Sequence, residues 1–181
     1  MAVAMSTDPR FIRRFLPLAL LITPTAFASA QPTQANSHEA QIGACIRRAS
    51  AGHIWLEKTL WGLRDQEAGW IGAQVRNSDG SHDLGPLQVN SWWVTRVAGT
   101  VNRPPSLVRY WLVNDACFNV DTARWIFLSG LAVTGDYWKA IGVYHSPTGW
   151  RQRRYAALVA AKLSKRFGKS VFSEKSPHET D

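Results

Sequence analysis

Residues 56–90 read LEKTLWGLRDQEAGWIGAQVRNSDGSHDLGPLQVN and change from a helical to a hairpin pattern. Three leucines recur at the spacing of one helix face: Leu56, Leu60 and Leu63. That spacing predicts an amphipathic helix over roughly 53–68, and Gly69 stands where such a helix is expected to stop. The pair Asp79-Gly80 is typical of a two-residue turn between antiparallel strands. The stretch therefore predicts a helix that leads into a small β-hairpin.

The rest of the chain predicts an α+β domain that is mostly α. Further helices are expected over 38–50, near 92–98 and 106–113, after caps at Asp121 and Asp136, and over 150–167. The last helix has four residues on its apolar stripe: Tyr155, Leu158, Val159 and Leu163. Its other face is basic, which is typical of a solvated face. We expect one domain over 38–167, a flexible segment at 31–37 and a polar tail at 168–181.

The composition indicates a packed globular protein. The chain has 181 residues, of which 45% are hydrophobic and 19% are charged. These values exclude collagen-like and low-complexity chains and favour a single domain. The nine tryptophans are more than one small core can hide. Several of them are therefore expected to line a surface or a groove.

Residues 1–30 have the pattern of a secretory signal peptide. A basic start is followed by a short apolar run and by a small-residue cleavage site that ends at Ala30. An uncleaved membrane anchor is the alternative interpretation. However, Pro17 and Pro24 interrupt the run, and a spanning helix needs about 20 apolar residues. We expect cleavage near Ala30 and a periplasmic location.

Export from the cell affects which partners the protein meets and whether its two cysteines can form a disulfide. The formal net charge of the chain is +8, and loss of three arginines and one aspartate with residues 1–30 would leave +8 − 2 = +6. An exported protein of this charge is expected to meet anionic envelope material and no nucleic acid. Cys45 and Cys117 can form one disulfide in an oxidising compartment, and two separate buried thiols are the alternative. Two cysteines and five histidines without a ligand spacing predict no metal and no cofactor. Nothing in the sequence requires more than a monomer.

Glu67 is the carboxylate that stands out. It continues the leucine stripe by one more helical step, so it faces the apolar side of its helix. Desolvation and the negative end of the helix dipole both raise the pKa of a carboxyl group there, which suits a general acid. The alternative is a helix-end glutamate that swings into solvent.

Asp83 is a second candidate carboxylate, placed just after the predicted turn. If the hairpin folds back on the helix end, Asp83 and Glu67 face each other across a cleft. A protonated and an ionised carboxyl group form the pair that glycoside cleavage uses. The alternative for Asp83 is a role only as a cap or as an ion-pair partner, although the tryptophans nearby favour a sugar ligand.

Several motifs resemble those of the lysozyme-like lytic transglycosylases (SLT domain). In this chain, Glu67-Ala68-Gly69 and residues 76–93, RNSDGSHDLGPLQVNSWW, resemble the catalytic stretch of that family. Later motifs match 114–120, NDACFNV, and 140–147, AIGVYHSP. The likeness is to small exported members that accompany type III and type IV secretion, conjugation and pilus assembly. Animal c-type lysozyme resembles the catalytic stretch almost as well.

The resemblance implies a lysozyme-like fold and a set of roles. Glu67 is expected to be the general acid and then the base, and Asp83 to stand where lysozymes keep their second carboxylate. Four residues are candidate substrate-binding residues: Gln88, Tyr144, Asn77 and Trp93. By the family pattern, the glutamine lies in the cleft floor and the tyrosine fixes Glu67 or the substrate N-acetyl group. Cys45 and Cys117 match a pair that these members bridge.

Three residues depart from the family pattern: Ala68 in place of serine, Pro86 in place of a small or aliphatic residue, and His145 in place of asparagine. The expected substrate is the peptidoglycan glycan strand, and the expected activity is a lytic transglycosylase. A hydrolytic muramidase that also uses Asp83 is the alternative. A non-catalytic wall-binding module and a structural adaptor of secretion, conjugation or pilus machinery stay open as well.

Overall fold

The structure is a computed structural model that describes residues 34–172. Its helices are α1 (Gln34–Ser50), α2 (Ile54–Glu67), α3 (Trp93–Val101), α4 (Pro105–Asn114), α5 (Ala116–Thr134), α6 (Tyr137–His145), α7 (Gly149–Phe167) and a short 3-10 helix (Lys169–Phe172). Its strands are β1 (Gln74–Arg76), β2 (His82–Leu84) and β3 (Val89–Asn90). This mostly helical chain with one small sheet confirms the predicted α+β, mostly α class. The predicted signal peptide lies outside the described residues.

The small sheet is larger than the predicted hairpin. Its three strands are antiparallel in the order β1-β2-β3. The turn between β1 and β2 has three residues, because the N–H of Asn77 donates to the Ser81 carbonyl at 2.8 Å. Gly80 takes a left-handed conformation there, with φ of 84°, as the last residue of such a loop commonly does. The predicted two-residue turn was therefore one residue too short.

Helix α5 runs through the core of the described chain. Its buried apolar residues include Val120, Ala123, Ile126 and Phe127. Helices α1, α4 and α6 pack against it, and α7 packs against α2 and α6. The packing of α7 on α2 is the contact that matters for function, since it places a buried face of α7 beside the end of α2.

Of the two predicted helix caps, one differs from the structure and one is confirmed. Helix α5 begins at Ala116, because Asp115 accepts hydrogen bonds from the N–H groups of the next turn. Asp121, the predicted cap, lies inside α5 and pairs with Arg48 at 2.6 Å. The cap at Asp136 is confirmed, since its side chain accepts from the Lys139 N–H at 2.8 Å.

The two ends of the predicted domain also need correction. Residues 34–37 of the segment expected to be flexible form the first turn of α1. Residues 169–172 of the expected tail form the 3-10 helix. Leu158, expected to be buried on α7, is 43% exposed, whereas Tyr155, Val159 and Leu163 are buried. No helix between residues 34 and 172 combines the length and apolar character needed to cross a bilayer.

The two cysteines form a disulfide, as predicted. Cys45 of α1 and Cys117 of α5 are bonded, with Cα atoms 4.8 Å apart. The bond closes a long loop, since the two residues are separated by 72 positions. Closing such a loop restricts the unfolded chain and stabilises the fold by about 4 kcal/mol. The bond holds α1 against the first turn of α5.

Candidate active site

The end of α2 makes close backbone contact with the loop between β2 and β3. Helix α2 ends at Glu67, and Ala68 turns the chain with a left-handed φ of 49°. A Cβ atom on Gly69 would lie 2.3 Å from the Gly85 carbonyl oxygen and 2.7 Å from Nε2 of Gln88. No side chain fits in that space, so a glycine is required. The close contact brings the loop beside Glu67.

A buried asparagine holds the same loop from the other side. Oδ1 of Asn119 accepts from the Leu87 N–H at 2.9 Å, and its Nδ2 donates to the Leu84 and Leu112 carbonyls at 2.8 and 2.9 Å. Gly85 has φ of 69°, and a Cβ atom there would lie 2.1 Å from the Leu112 oxygen. Helices α4 and α5 therefore fix the position of the loop.

Glu67 is surrounded by groups that favour its protonated form. Burial raises its pKa from 4.5 to about 7, and the negative charge of Asp83 acts in the same direction. The hydroxyl of Tyr155 donates to Oε1 of Glu67 and partly opposes this rise. Tyr155 is itself only 4% exposed. At neutral pH a substantial fraction of Glu67 is thus protonated, as a general acid requires.

Asp83 lies in β2, the middle strand of the sheet, among amide and hydroxyl groups. Its Oδ1 accepts from Nδ2 of Asn90 at 2.9 Å, and these two residues are opposite each other in the β2–β3 register. Nδ2 of Asn90 also donates to Oγ of Ser81 at 3.0 Å, and Nδ2 of Asn77 donates to the same oxygen at 3.1 Å. The sheet thus holds Asp83 in place through side-chain hydrogen bonds.

The two carboxylates line one cleft with a volume of about 270 Å³. All six residues predicted for the active site line it: Glu67, Asp83, Gln88, Tyr144, Asn77 and Trp93. Trp92 also lines the cleft and is 70% exposed. This agrees with the expectation that several tryptophans line a surface or a groove. The sequence therefore identified residues that are close in space, while their catalytic and binding roles stay predictions.

The hydrogen bond to Glu67 comes from Tyr155 and not from Tyr144, whose alternative predicted contact with the substrate N-acetyl group stays a prediction. The hydroxyl of Tyr144 donates to the Leu87 carbonyl at 2.7 Å, so Tyr144 supports the loop and makes no hydrogen bond to Glu67. Tyr155, assigned from the sequence only to the core, makes that bond instead. A buried tyrosine hydroxyl usually requires a partner, and this requirement was the available signal. The ring of His145 stacks on Tyr155 at 4.5 Å.

Trp93 is held by two neighbours on the other side of the cleft. Its ring meets Trp125 edge-on, with centroids 5.6 Å apart. The guanidinium of Arg96 lies 5.7 Å from the Trp93 ring centroid and 5.6 Å from that of Trp125. Such cation–π contacts favour one ring orientation. The face that Trp93 presents to the cleft is thereby fixed.

Among residues 34–172, no three histidine, cysteine, aspartate or glutamate side chains are arranged as metal ligands would be. The absence of a metal or cofactor in the reaction stays a prediction. The Glu67–Asp83 pair and the aromatic and amide groups around it are suited to acid–base chemistry on a polar, extended ligand.

The fold and the cleft together define a small, mostly helical protein with a paired-carboxylate site. No protein-family model matches the chain. Invasion protein IagB of Salmonella typhimurium is 28% identical over 117 residues, which cover 62% of this chain and 70% of that protein. Invasion protein IagB of Salmonella typhi is 29% identical over 105 residues, which cover 55% of this chain and 62% of that protein.

Proposed function

We propose that this protein is a peptidoglycan lytic transglycosylase of the lysozyme-like, SLT-domain type. It cleaves the β-1,4 bond between N-acetylmuramic acid and N-acetylglucosamine and leaves a 1,6-anhydro end on the muramic acid. The observation that carries the proposal is Glu67, a glutamate with a pKa of about 7 that lines an open cleft opposite Asp83. The motif resemblance supports the same activity.

Glu67 acts first as an acid. Tyr155 holds Oε1 of Glu67 by a hydrogen bond, so Oε2 carries the transferable proton. Glu67 donates this proton to the bridging oxygen as the bond from C1 of the muramic acid breaks. The sugar ring gains oxocarbenium character, and the negative charge of Asp83 across the cleft stabilises it.

Glu67 then acts as a base. Its carboxylate takes the proton of the C6 hydroxyl on the same muramic acid, and the C6 oxygen bonds to C1. This step closes the 1,6-anhydro ring, returns the proton to Glu67 and consumes no water. One residue therefore completes the cycle, and Asp83 contributes only its charge.

Hydrolysis by a lysozyme-type muramidase is the second candidate. The position of Asp83 favours it, because Asn90 holds the Asp83 carboxylate in the same cleft as Glu67. In this reaction Asp83 attacks or stabilises C1, and a water molecule completes the cleavage. The two candidates share Glu67 as the acid and differ in the product.

The biological setting that we propose is local opening of the cell wall. The relatives reported above are all named invasion proteins, which supports a role during assembly of a secretion, conjugation or pilus system. The protein would act in the periplasm as a monomer after removal of residues 1–30. Its partners would be glycan strands and components of such machinery, and no nucleic acid.

The test is mass spectrometry of the fragments that the purified protein releases from isolated sacculi. Products one water lighter than their reducing counterparts establish the transglycosylase. Reducing ends establish the muramidase and give Asp83 a direct role. If the wild-type protein releases no fragments under conditions in which it is folded, the enzyme proposal is wrong and the wall-binding or adaptor interpretation replaces it.

A further inference from the structure

A second groove lies on the α7 side of Glu67. It has a volume of about 340 Å³ and is lined mainly by the first turns of α7, with Trp150, Arg151, Arg154 and Leu158. Glu67, together with His145 and Arg151, lines both this groove and the catalytic cleft. The groove therefore extends the catalytic cleft and begins at its acid.

The groove carries positive charge that no carboxylate of the described chain pairs with. Three other arginines do have partners within residues 34–172: Arg48 with Asp121, Arg64 with Glu39, and Arg166 with Asp65. Arg151 and Arg154 form no ion pair with any described residue. Glu67 does not neutralise them when it is protonated. The cleft end of α7 is thus free to bind an anion, whereas Arg166 near the far end of the helix is paired with Asp65.

The groove also presents apolar surface. Trp150 is 55% exposed and Leu158 is 43% exposed. The Arg151 guanidinium lies 5.4 Å from the centroid of the Trp150 ring, which leaves the charge and the aromatic surface side by side. Two cations beside exposed apolar side chains match a peptide that carries both carboxylates and small aliphatic side chains.

We propose that this groove binds the acidic stem peptide of peptidoglycan, an inference that rests on the proposed function. Amidase stripping frees the lactyl carboxyl group of each muramic acid, but on a peptide-bearing strand that group is in an amide bond with the peptide, so the glycan itself supplies no free carboxylate. The carboxylates are on the peptide branch. When a muramic acid is bound at Glu67, its peptide branch lies next to the second groove, because Glu67 lines both that groove and the catalytic cleft. Arg154 and Arg151 would thus favour peptide-bearing strands over stripped ones.

The kinetic test compares Arg154→Gln with Arg153→Gln on two substrates. Arg153 is a matched control, because it is exposed on the same turn of α7 and does not line either groove. Both variants lose one positive charge. We expect Arg154→Gln to reduce the preference for peptide-bearing over amidase-stripped glycan about threefold to fivefold, as exposed ion pairs do. Arg153→Gln should keep the wild-type preference.

A binding test separates this proposal from the proposed activity. In a Glu67→Gln background, calorimetry measures the affinity for a soluble muropeptide with free carboxylates and for its amidated analogue. We expect tighter binding of the free acid, weaker binding at high salt and a loss of the difference in Arg154→Gln. This result would support the groove even if the sacculus digestion releases nothing.

Three outcomes would overturn the inference. One is an equal loss of cleavage rate by Arg154→Gln on peptide-bearing and on amidase-stripped glycan. Another is equal affinity of the protein for the free-acid and the amidated muropeptides. The third is that Arg154→Gln sediments less with phosphatidylglycerol vesicles than the wild type does, while its muropeptide binding is unchanged. That third result would assign the groove to lipid headgroups.

Discussion

The two walls of the cleft hold the same functional group in opposite ways. On the helical wall, Glu67 is buried and its hydrogen-bond partner, Tyr155, lies 88 residues away along the chain. On the sheet wall, Asp83 is bonded to Asn90, only seven residues away. Burial raises the pKa of Glu67, whereas the side-chain amide of Asn90 donates a hydrogen bond to Asp83. Burial therefore makes Glu67 a proton donor at neutral pH, and a local strand pairing positions Asp83.

The largest expected effect on the cleavage rate separates loss of the proton donor, Glu67, from loss of the negative charge of Asp83. Glu67→Gln removes the proton donor, and we expect sacculus cleavage to fall about 100- to 10,000-fold. Asp83→Asn removes only a charge that stabilises the oxocarbenium ion, so the expected loss is about tenfold. Both rates are measured as soluble fragments released from sacculi.

Two controls make this comparison decisive. Circular dichroism and thermal unfolding should show both variants folded, and wall pull-down should show Glu67→Gln still bound. Losses of equal size would mean that Asp83 acts directly on C1, as in the muramidase. Normal lysis by Glu67→Gln would remove the basis of the proposed mechanism.

The burial of Glu67 also predicts an effect on stability. Because its pKa is about 7 in the folded protein against 4.5 for an unperturbed carboxyl group, the folded state binds the proton more tightly. The contribution of Glu67 to stability is therefore greatest below pH 4.5 and falls as the pH rises through 7. Glu67→Gln should be more stable than the wild type at pH 8, by about 3 kcal/mol, and close to it at pH 4.5.

Urea unfolding of both proteins at the two pH values measures this difference. Asp65→Asn is a useful comparison, because Asp65 lies on the same helix and pairs with Arg166 on the surface. It should not gain stability at pH 8. If the Glu67→Gln advantage is the same at both pH values, Glu67 is not buried in its ionised form as described.

The smallest expected effect concerns the hydroxyl of Tyr155. Its hydrogen bond lowers the pKa of Glu67, so Tyr155→Phe should raise that pKa further and shift the alkaline limb of the activity profile to higher pH. We expect a several-fold loss at the optimum, because Oε1 loses its positioning bond. The pH profile of kcat/KM measures both changes.

Tyr137→Phe serves as the matched control for this variant. The Tyr137 hydroxyl is hydrogen-bonded to Thr59 at 2.9 Å, and the residue is not part of the cleft lining. Loss of the Tyr137 hydroxyl should change the free energy of unfolding by about 1 kcal/mol without shifting the pH profile of kcat/KM. A profile that moves equally in both variants would contradict a specific role for Tyr155.

The sequence predicted features that depend on local pattern. The leucine stripe placed Glu67 on the buried face, the turn residues placed the hairpin, and the two cysteines allowed one bond. Features that depend on distant partners were missed. Asn119 bonds to a loop more than 30 residues away, and Tyr155 appeared in the sequence only as one more apolar-stripe residue. The start of α5 was misplaced because Asp115 and Asp121 are both suitable caps, and packing decides between them.

The two glycines at the contact between helix end and loop bear on how this cleft can be redesigned. At Gly69 and Gly85, backbone atoms occupy the space that a side chain would need. The separation of the two cleft walls is therefore set by main-chain contact, and the side chains of Asn119 and Tyr144 give the loop further support. An engineer can exchange Trp93 to alter sugar preference while the catalytic distance stays constant. A single methyl group at Gly69 would change that distance for every substrate at once.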